Sequence, residues 1–265
     1  MRVLVLGSGG REHALVWSLD KDPSVHAVIC APGSDAIARI ASLREIDAEN
    51  PDAVARLARD EHVDLVVIGP EAPLAAGVVD ALEAAGIPAF GPTRAAACLE
   101  SSKIFAKDFM QRHGIPTAAY RAFDDAGEAE AYVDELGGPI VVKADGLAAG
   151  KAVTVCDGPA DAKRAIHEAM REGRFGGAGA RVVIEERLVG EELSFYAVSD
   201  GERFVCLEAA QDHKAVFDGD RGENTGGMGA YSPAPLFSTE VEARHVDQVV
   251  RPPQDGLRPE GTPDP

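Results

Sequence analysis

Residues 139–151 read PIVVKADGLAAGK. Ile140, Val141 and Val142 form a β-rich run that Lys143 closes, and a stretch of small residues then leads to a second lysine, Lys151. An unpaired ammonium is costly to bury, so Lys143 needs an anionic partner or a place at a cleft edge. Loops of small residues flex and present backbone amides, and such loops close over phosphates. A second strand, AVTVC (152–156), a helix over 160–172 and a strand RVVIEE (181–186) follow. Together they predict a compact α+β subdomain over residues 121–190.

On the N-terminal side, SSKIFAKDFMQRHG (101–114) spaces Ile104, Phe105, Phe109 and Met110 as one helix face, and Gly114 with Ile115-Pro116 stops it. This predicts a linker helix within residues 101–120. FDDAGEAEAYVDELGG (123–138) predicts another helix, capped by Asp124 or Asp125 and ended by Gly137. Over residues 1–100 the strands RVLVL (2–6), HAVIC (26–30) and VDLVVI (63–68) alternate with helical segments, and turns follow the strand C-termini. That alternation predicts an α/β, Rossmann-like doubly wound parallel sheet. After residue 190, ELSFYAVS and RFVCLEAA flank Asp200-Gly201 as a hairpin within a region running to residue 250. Residues 251–265 hold five prolines and predict a solvated tail with neither strand nor helix.

The chain has 265 residues, is 45% hydrophobic and carries a formal charge of −18. The acidity argues against nucleic acid or an anionic membrane as the main partner, and makes any cluster of lysines informative. No apolar run approaches the length of a membrane span. Cys30, Cys98, Cys156 and Cys206 show no metal-ligand spacing, which fits reduced thiols in a cytoplasm.

Several segments admit both a chemical and a plain structural reading. GSGGREH (7–13) sits between a strand and a helix, where glycine amides approach a phosphate, or simply make a tight turn. Glu12 replaces the third glycine of a dinucleotide fingerprint, and the second strand ends in ICAPG with no acid for a ribose, so a sugar phosphate suits the loop better than NAD. GPEAPL (69–74) ends a neighbouring strand and faces the same crevice, or is a loop fixed by its prolines. Lys103 and Lys107, four apart, are either a solvated stripe or part of an anion site. In IEERLVGEE (184–192), Glu185 and Glu186 must point to opposite strand faces. The edge could receive a purine, with Glu192 accepting from ribose hydroxyls, or be an exposed acidic end. QDHKAVFDGDRGENTGGMGAYSPAP (211–235) is long, irregular and polar, as functional loops are. Its Asp212-His213-Lys214 is a hydrogen-bonded structural cluster or an acid–base or metal site.

In order, VLGSGGREHAL, GPEAPL with FGPT, SSKIFAKDFM, IVVKADGLAAGKAV, VIEERLVGEELSF and QDHKAVFDGDRGENTGGMGAYSPAP resemble the phosphoribosylamine–glycine ligase family of ATP-grasp enzymes, over the chain to about Val250. The resemblance implies that 5-phosphoribosylamine and glycine are joined at the expense of ATP, through glycyl phosphate, with Mg²⁺. It implies that Lys103, Lys143 and Lys214 contact ATP phosphates, and that Gly146 and Lys151 belong to a flap over residues 145–151. Glu185, Glu186 and Leu188 would receive adenine and Glu192 the ribose. Gly9, Gly10, Pro70 and Glu71, with Asp212, Asn224, Thr225, Gly226, Gly227 and Met228, would line the substrate sites.

Ala152 and Glu223 depart from the family's glycine and proline. The family continues with a segment of the form EFNxRFGDPE, whose Glu and Asn bind magnesium, and with a C-terminal domain; neither is in these 265 residues. The expectation is therefore an incomplete ATP-grasp region, truncated at the C-terminus or frameshifted, with no metal ligands of its own. Three functions fit: the ligase, a module that binds nucleotide without turnover, or another ATP-grasp carboxylate–amine ligase. NTGGMGAYSPAP favours the glycine ligase over the last.

Overall fold

The computed structural model describes residues 1–148, 152–219, 221–225 and 227–257, without the side chains of 223, 224, 254 and 255. The chain divides into two compact units, Met1–Cys98 and a second from Leu99 onward. Among the described residues no helix is long and apolar enough to cross a membrane.

The first unit is built on five parallel strands, β1 (Arg2–Gly7), β2 (Ala27–Pro32), β3 (Ser42–Leu43), β4 (Leu65–Ile68) and β5 (Ala89–Phe90), in the order β3-β2-β1-β4-β5. Helices α1 (Gly10–Asp20), α2 (Pro51–Asp60), α3 (Glu71–Ala76) and α4 (Val78–Ala84) connect them. The apolar run VLVL in β1 feeds two cores at once. Leu4 and Leu6 pack with Val54 of α2 and Val79 of α4, while Val3 and Val5 pack with Val16 of α1. A parallel strand covered on both faces has no polar side to show, which is why this one reads as unbroken hydrophobicity. The sequence reading passed over β3 and α2, although Asn50 caps α2, accepting from the Ala53 N–H, and Pro51 opens it. Because β2 and β4 flank β1, the loops after β1 and β4 meet at the switch point of the sheet.

The second unit begins with the single turn α5 (Cys98–Ser101, shared across the boundary) and α6 (Lys103–Arg112). Its sheet is antiparallel, with β6 (Tyr120–Phe123), β7 (Ile140–Ala144), β8 (Val153–Cys156) and β9 (Val182–Glu186) in the order β6-β9-β7-β8. The four-residue β6 was not foreseen. Helices α7 (Ala126–Leu136) and α8 (Pro159–Ile166), the latter continued by a π turn, cover one sheet face. Ile140, Val142, Val182 and Ile184 point into that core with Val133 and Ile166. Asp125, not Asp124, caps α7, and Gly137 ends it in the left-handed conformation at φ 65°.

Downstream, β10 (Ala197–Ser199) and β11 (Phe204–Cys206) form the expected hairpin, with Asp200 accepting from the Glu202 and Arg203 amides at the turn. Within residues 211–235, the described residues include two short strand pairs where the composition suggested an irregular loop. Strands β12 (Gln211–Asp212) and β15 (Ala230–Tyr231) pair, as do β13 (Ala215–Phe217) and β14 (Arg221–Asn224). Glycines 219, 222, 227 and 229, all at positive φ, reverse the chain between them. The tail expectation is overturned for its first half. After α9 (Thr239–His245) and a π turn, Arg251–Leu257 forms α10, with Gly256 packed on the His113 ring. Pro252 and Pro253 stand directly after that π turn, within a run that is helical from Thr239 to Leu257.

Candidate functional site

Strand pairing places the lysine that closes β7 on the sheet face opposite the helical core. Val141 lies across from Glu185 and Lys143 across from Val183, so Lys143 and Glu185 are diagonal neighbours on that face. Lys143 Nζ lies 2.9 Å from Glu185 Oε2. Lys107, from α6, approaches the same oxygen at 3.2 Å and also donates to Thr117 Oγ1 at 2.7 Å. The Glu185 side chain is only 5% exposed and that of Lys107 10%. Two ammonium groups therefore share one buried carboxylate oxygen, while the other, Oε1, is buried with no hydrogen-bond partner. An unsatisfied buried acceptor costs about 1–3 kcal/mol.

Burial pushes the Lys107 ammonium below its ordinary pKa, against the opposing pull of Glu185. Lys103 is lowered as well, chiefly by burial, and the nearby positive charge of Lys143 adds to the shift. Lys103 Nζ donates to the carbonyls of Gly146, at 3.1 Å, and Asp145, at 3.5 Å. Three lysines thus gather around one glutamate, an arrangement suited to a polyanion. Gly146 admits no side chain, since a Cβ would lie 2.7 Å from that of Ala178.

Glu186 turns to the other face, where its carboxylate accepts from the Ala119 N–H at 2.9 Å. Leu188 is 69% exposed. Glu192 is occupied by Lys214, whose ammonium also lies 3.7 Å from Asp212; the hydrogen bond that Lys214 donates to Glu192 is the main cause of its raised pKa. Asp212 Oδ1 is buried and unpartnered. The backbone of the 211–214 segment bonds to that of 225–229, through Thr225 N to Lys214 O, Met228 N to His213 O and His213 N to Gly229 O. Thr225 Oγ1 accepts from the Gly227 N–H at 3.0 Å, and Met228 is exposed. The side chain of Asn224 is not described, and Lys151 and Gly226 lie outside the described residues.

In the first unit, the GSGG loop has a different character. Glu12 is 4% exposed and its Oε2 accepts from the Gly9 N–H at 2.7 Å. Its side chain fills the space left by Gly7, Gly9 and Gly69, where any Cβ would collide with it. Oε1 accepts from Arg11 at 2.9 Å, and Arg11 reaches Glu71 at 3.0 Å, joining the loops after β1 and β4. Gly10 opens α1 with free space beside it, and Pro70 is the N-cap residue of α3.

The sequence left Lys107 open between a solvated charge and an anion site and gave Asp145 and Arg181 no role of their own, yet all three are part of the second unit's cluster. Only the (i, i+4) spacing of Lys103 and Lys107 hinted at the first. Asp145 and Arg181 are paired across 36 residues of sequence, and no local pattern announces such a contact.

Residues 1–100 match the family model described as phosphoribosylglycinamide synthetase, N domain, and residues 101–263 that of the ATP-grasp (A) domain of the same synthetase. The chain is 54% identical over 263 residues to a phosphoribosylamine–glycine ligase of Ralstonia nicotianae, covering 99% of this chain and 62% of the relative. It is 52% identical to that of Allochromatium vinosum, with the same coverage. The solved phosphoribosylamine–glycine ligase of Thermotoga maritima superposes with a TM-score of 0.84 at 31% identity, over 100% of this chain and 63% of that one. A biotin carboxylase of Campylobacter jejuni, solved with a β,γ-ATP complex, shares the fold at a TM-score of 0.74 and 17% identity, over 96% of this chain and 58% of that one. The chain spans about 62% of the length of the curated relatives it matches.

Proposed function

The chain belongs to the phosphoribosylglycinamide synthetase family, and on that premise we propose that it serves the ATP-dependent joining of glycine to 5-phosphoribosylamine. In that reaction the γ-phosphoryl group of ATP passes to the glycine carboxylate and ADP departs. The sugar amine then attacks the acyl carbon, expels phosphate and forms the amide of glycinamide ribonucleotide. This is chemistry of positioning and charge neutralisation.

The observation that carries the reading is the three-lysine cluster around the half-satisfied Glu185. Lys143 and Lys103 would neutralise the ATP phosphates, with Lys107 sharing the load on Glu185. The unpartnered Glu185 Oε1 is an acceptor in want of an N–H, which the exocyclic amine of adenine would supply. Gly146, Lys151, Glu186 and Leu188 belong to the same nucleotide site in this reading. Glu192 would have to exchange its bond to Lys214 for ribose hydroxyls, freeing Lys214 for a phosphate. The ribosylamine is assigned to Gly9, Gly10, Pro70 and Glu71. Asp212 and residues 224–228 are assigned to the remaining substrate contacts.

Magnesium, when bound, would supply charge neutralisation for the phosphates. Among the described residues no three His, Cys, Asp or Glu side chains gather as a metal site, so the residues described do not fit the ion. The phosphate neutralisation assigned to them is that of lysine alone.

Calorimetric titration with ATP tests the nucleotide site: Lys143→Ala should remove a charge-assisted contact of about 1.5–3 kcal/mol. Unchanged affinity in that variant would remove the site. Glycine-dependent release of ADP from Mg·ATP and phosphoribosylamine tests ligation; tight ATP binding with no such release would reduce the reading to a nucleotide-binding module.

A further inference from the structure

Two of the three unpaired first-turn amides of α6 are satisfied from outside the helix by a single residue, Asp145. The Lys103 N–H donates to the Asp145 carbonyl at 3.0 Å and the Ile104 N–H to Asp145 Oδ1 at 2.9 Å. The third, from Phe105, goes to the hydroxyl of the N-cap Ser102, which itself donates to Asp145 Oδ1 at 2.9 Å. No amide of this first turn is left for a phosphate, so what the first turn of α6 offers an anion is the side chain of Lys103.

Asp145 is in turn held from the opposite side. Its side chain is 8% exposed, and its Oδ2 accepts from Arg181 Nη2 at 2.6 Å. Its amide donates to the Arg181 carbonyl at 3.0 Å, and the next amide, Gly146, donates to Ala178 at 3.2 Å. The end of β7, the start of α6 and the segment before β9 therefore meet on one carboxylate. A buried carboxylate with this many donors is rigid, and its loss would leave several polar groups unpaired.

We propose that Asp145, clamped by Arg181, is a positioning residue that fixes the first turn of α6 and so sets Lys103 for the phosphate end of a nucleotide. The inference rests on the reading of Lys103 as a phosphate contact and adds the residues that hold it. Its mark is selectivity. Disturbing the clamp should weaken ligands that carry phosphates and spare the nucleoside, because no adenine contact runs through Asp145.

The test uses the full chain, titrated with ATP by calorimetry and with adenosine by NMR shift perturbation. Asp145→Asn keeps an oxygen for Ser102 and Ile104 but turns an amide donor toward Arg181. Arg181→Gln cuts the same pair from its solvent-facing side, through a side chain that is 52% exposed. Both variants should bind ATP about tenfold more weakly, with adenosine unchanged, and Arg181→Lys should recover part of the loss. ATP affinity equal to wild type in both variants would overturn the proposal. So would equal weakening of ATP and adenosine, which marks a purely structural role. Lys103→Ala, measured alongside, separates the two layers. Weakened ATP binding there with none in the Asp145 and Arg181 variants sinks the clamp and leaves the phosphate contact standing. No effect at Lys103 removes the contact and the clamp with it.

Discussion

Each unit buries a glutamate beside glycine-flanked loops, and the two have opposite fates. Glu12 and Glu185 are both 4% exposed. Glu12 is fully engaged: one oxygen holds the Gly9 amide and the other holds Arg11. Glu185 concentrates two ammonium groups on one oxygen and leaves the other without a donor. The first arrangement closes a loop upon itself, while the second is incomplete until something arrives. A glycine-rich motif is therefore a weaker guide to an anion site than the hydrogen bonds left open by the residues around it.

The contrast can be broken most forcefully at Glu185. Glu185→Leu leaves Lys107 and Lys143 facing each other without a counter-charge, and breaking a buried pair costs about 3–5 kcal/mol. Denaturant unfolding should show that loss, and a change below about 1 kcal/mol would mean that the lysines are already well solvated. Glu12→Gln should cost less, about 1–3 kcal/mol, because the amide keeps the Gly9 bond through its oxygen and loses only the charged partner of Arg11. If the two losses came out in reverse order, the loop would be the more strained of the two sites.

A smaller effect concerns Cys30, whose thiol donates to the Gly7 carbonyl and whose pKa is pushed up from 9.0 to about 11, first by burial and then by the Glu12 charge. Between those values the unfolded thiol ionises while the native one keeps its proton, so the unfolded state binds fewer protons. This group's contribution to stability is present below 9.0 and falls as the pH rises toward about 11. Thiolate absorbance in Glu12→Gln should appear at lower pH than in wild type; an unmoved titration would show that burial alone sets the shift.

Much of this was open to reading in the sequence. VLVL before a glycine announced a doubly covered parallel strand, and strand alternation required Glu185 and Glu186 to part. Which of the two would be buried was not legible, because that depends on α6 lying over one face of the antiparallel sheet. Lys107 could be a solvated charge or a buried one at the same spacing, and only its contact with Glu185, across 78 positions of chain, decides it. Residues 251–257 misled for a related reason: their prolines argue against a helix, but the segment continues a π turn and sets Gly256 against His113.

Amide NMR shifts during titration with ATP test the central claim most directly, since they report on both loops in one experiment. The amides of Lys143, Asp145, Gly146 and residues 185–188 should move with a common affinity, while Gly7, Gly9 and Gly10 stay in place. Saturable shifts in the Gly7–Gly10 loop with none at 143–146 would contradict it.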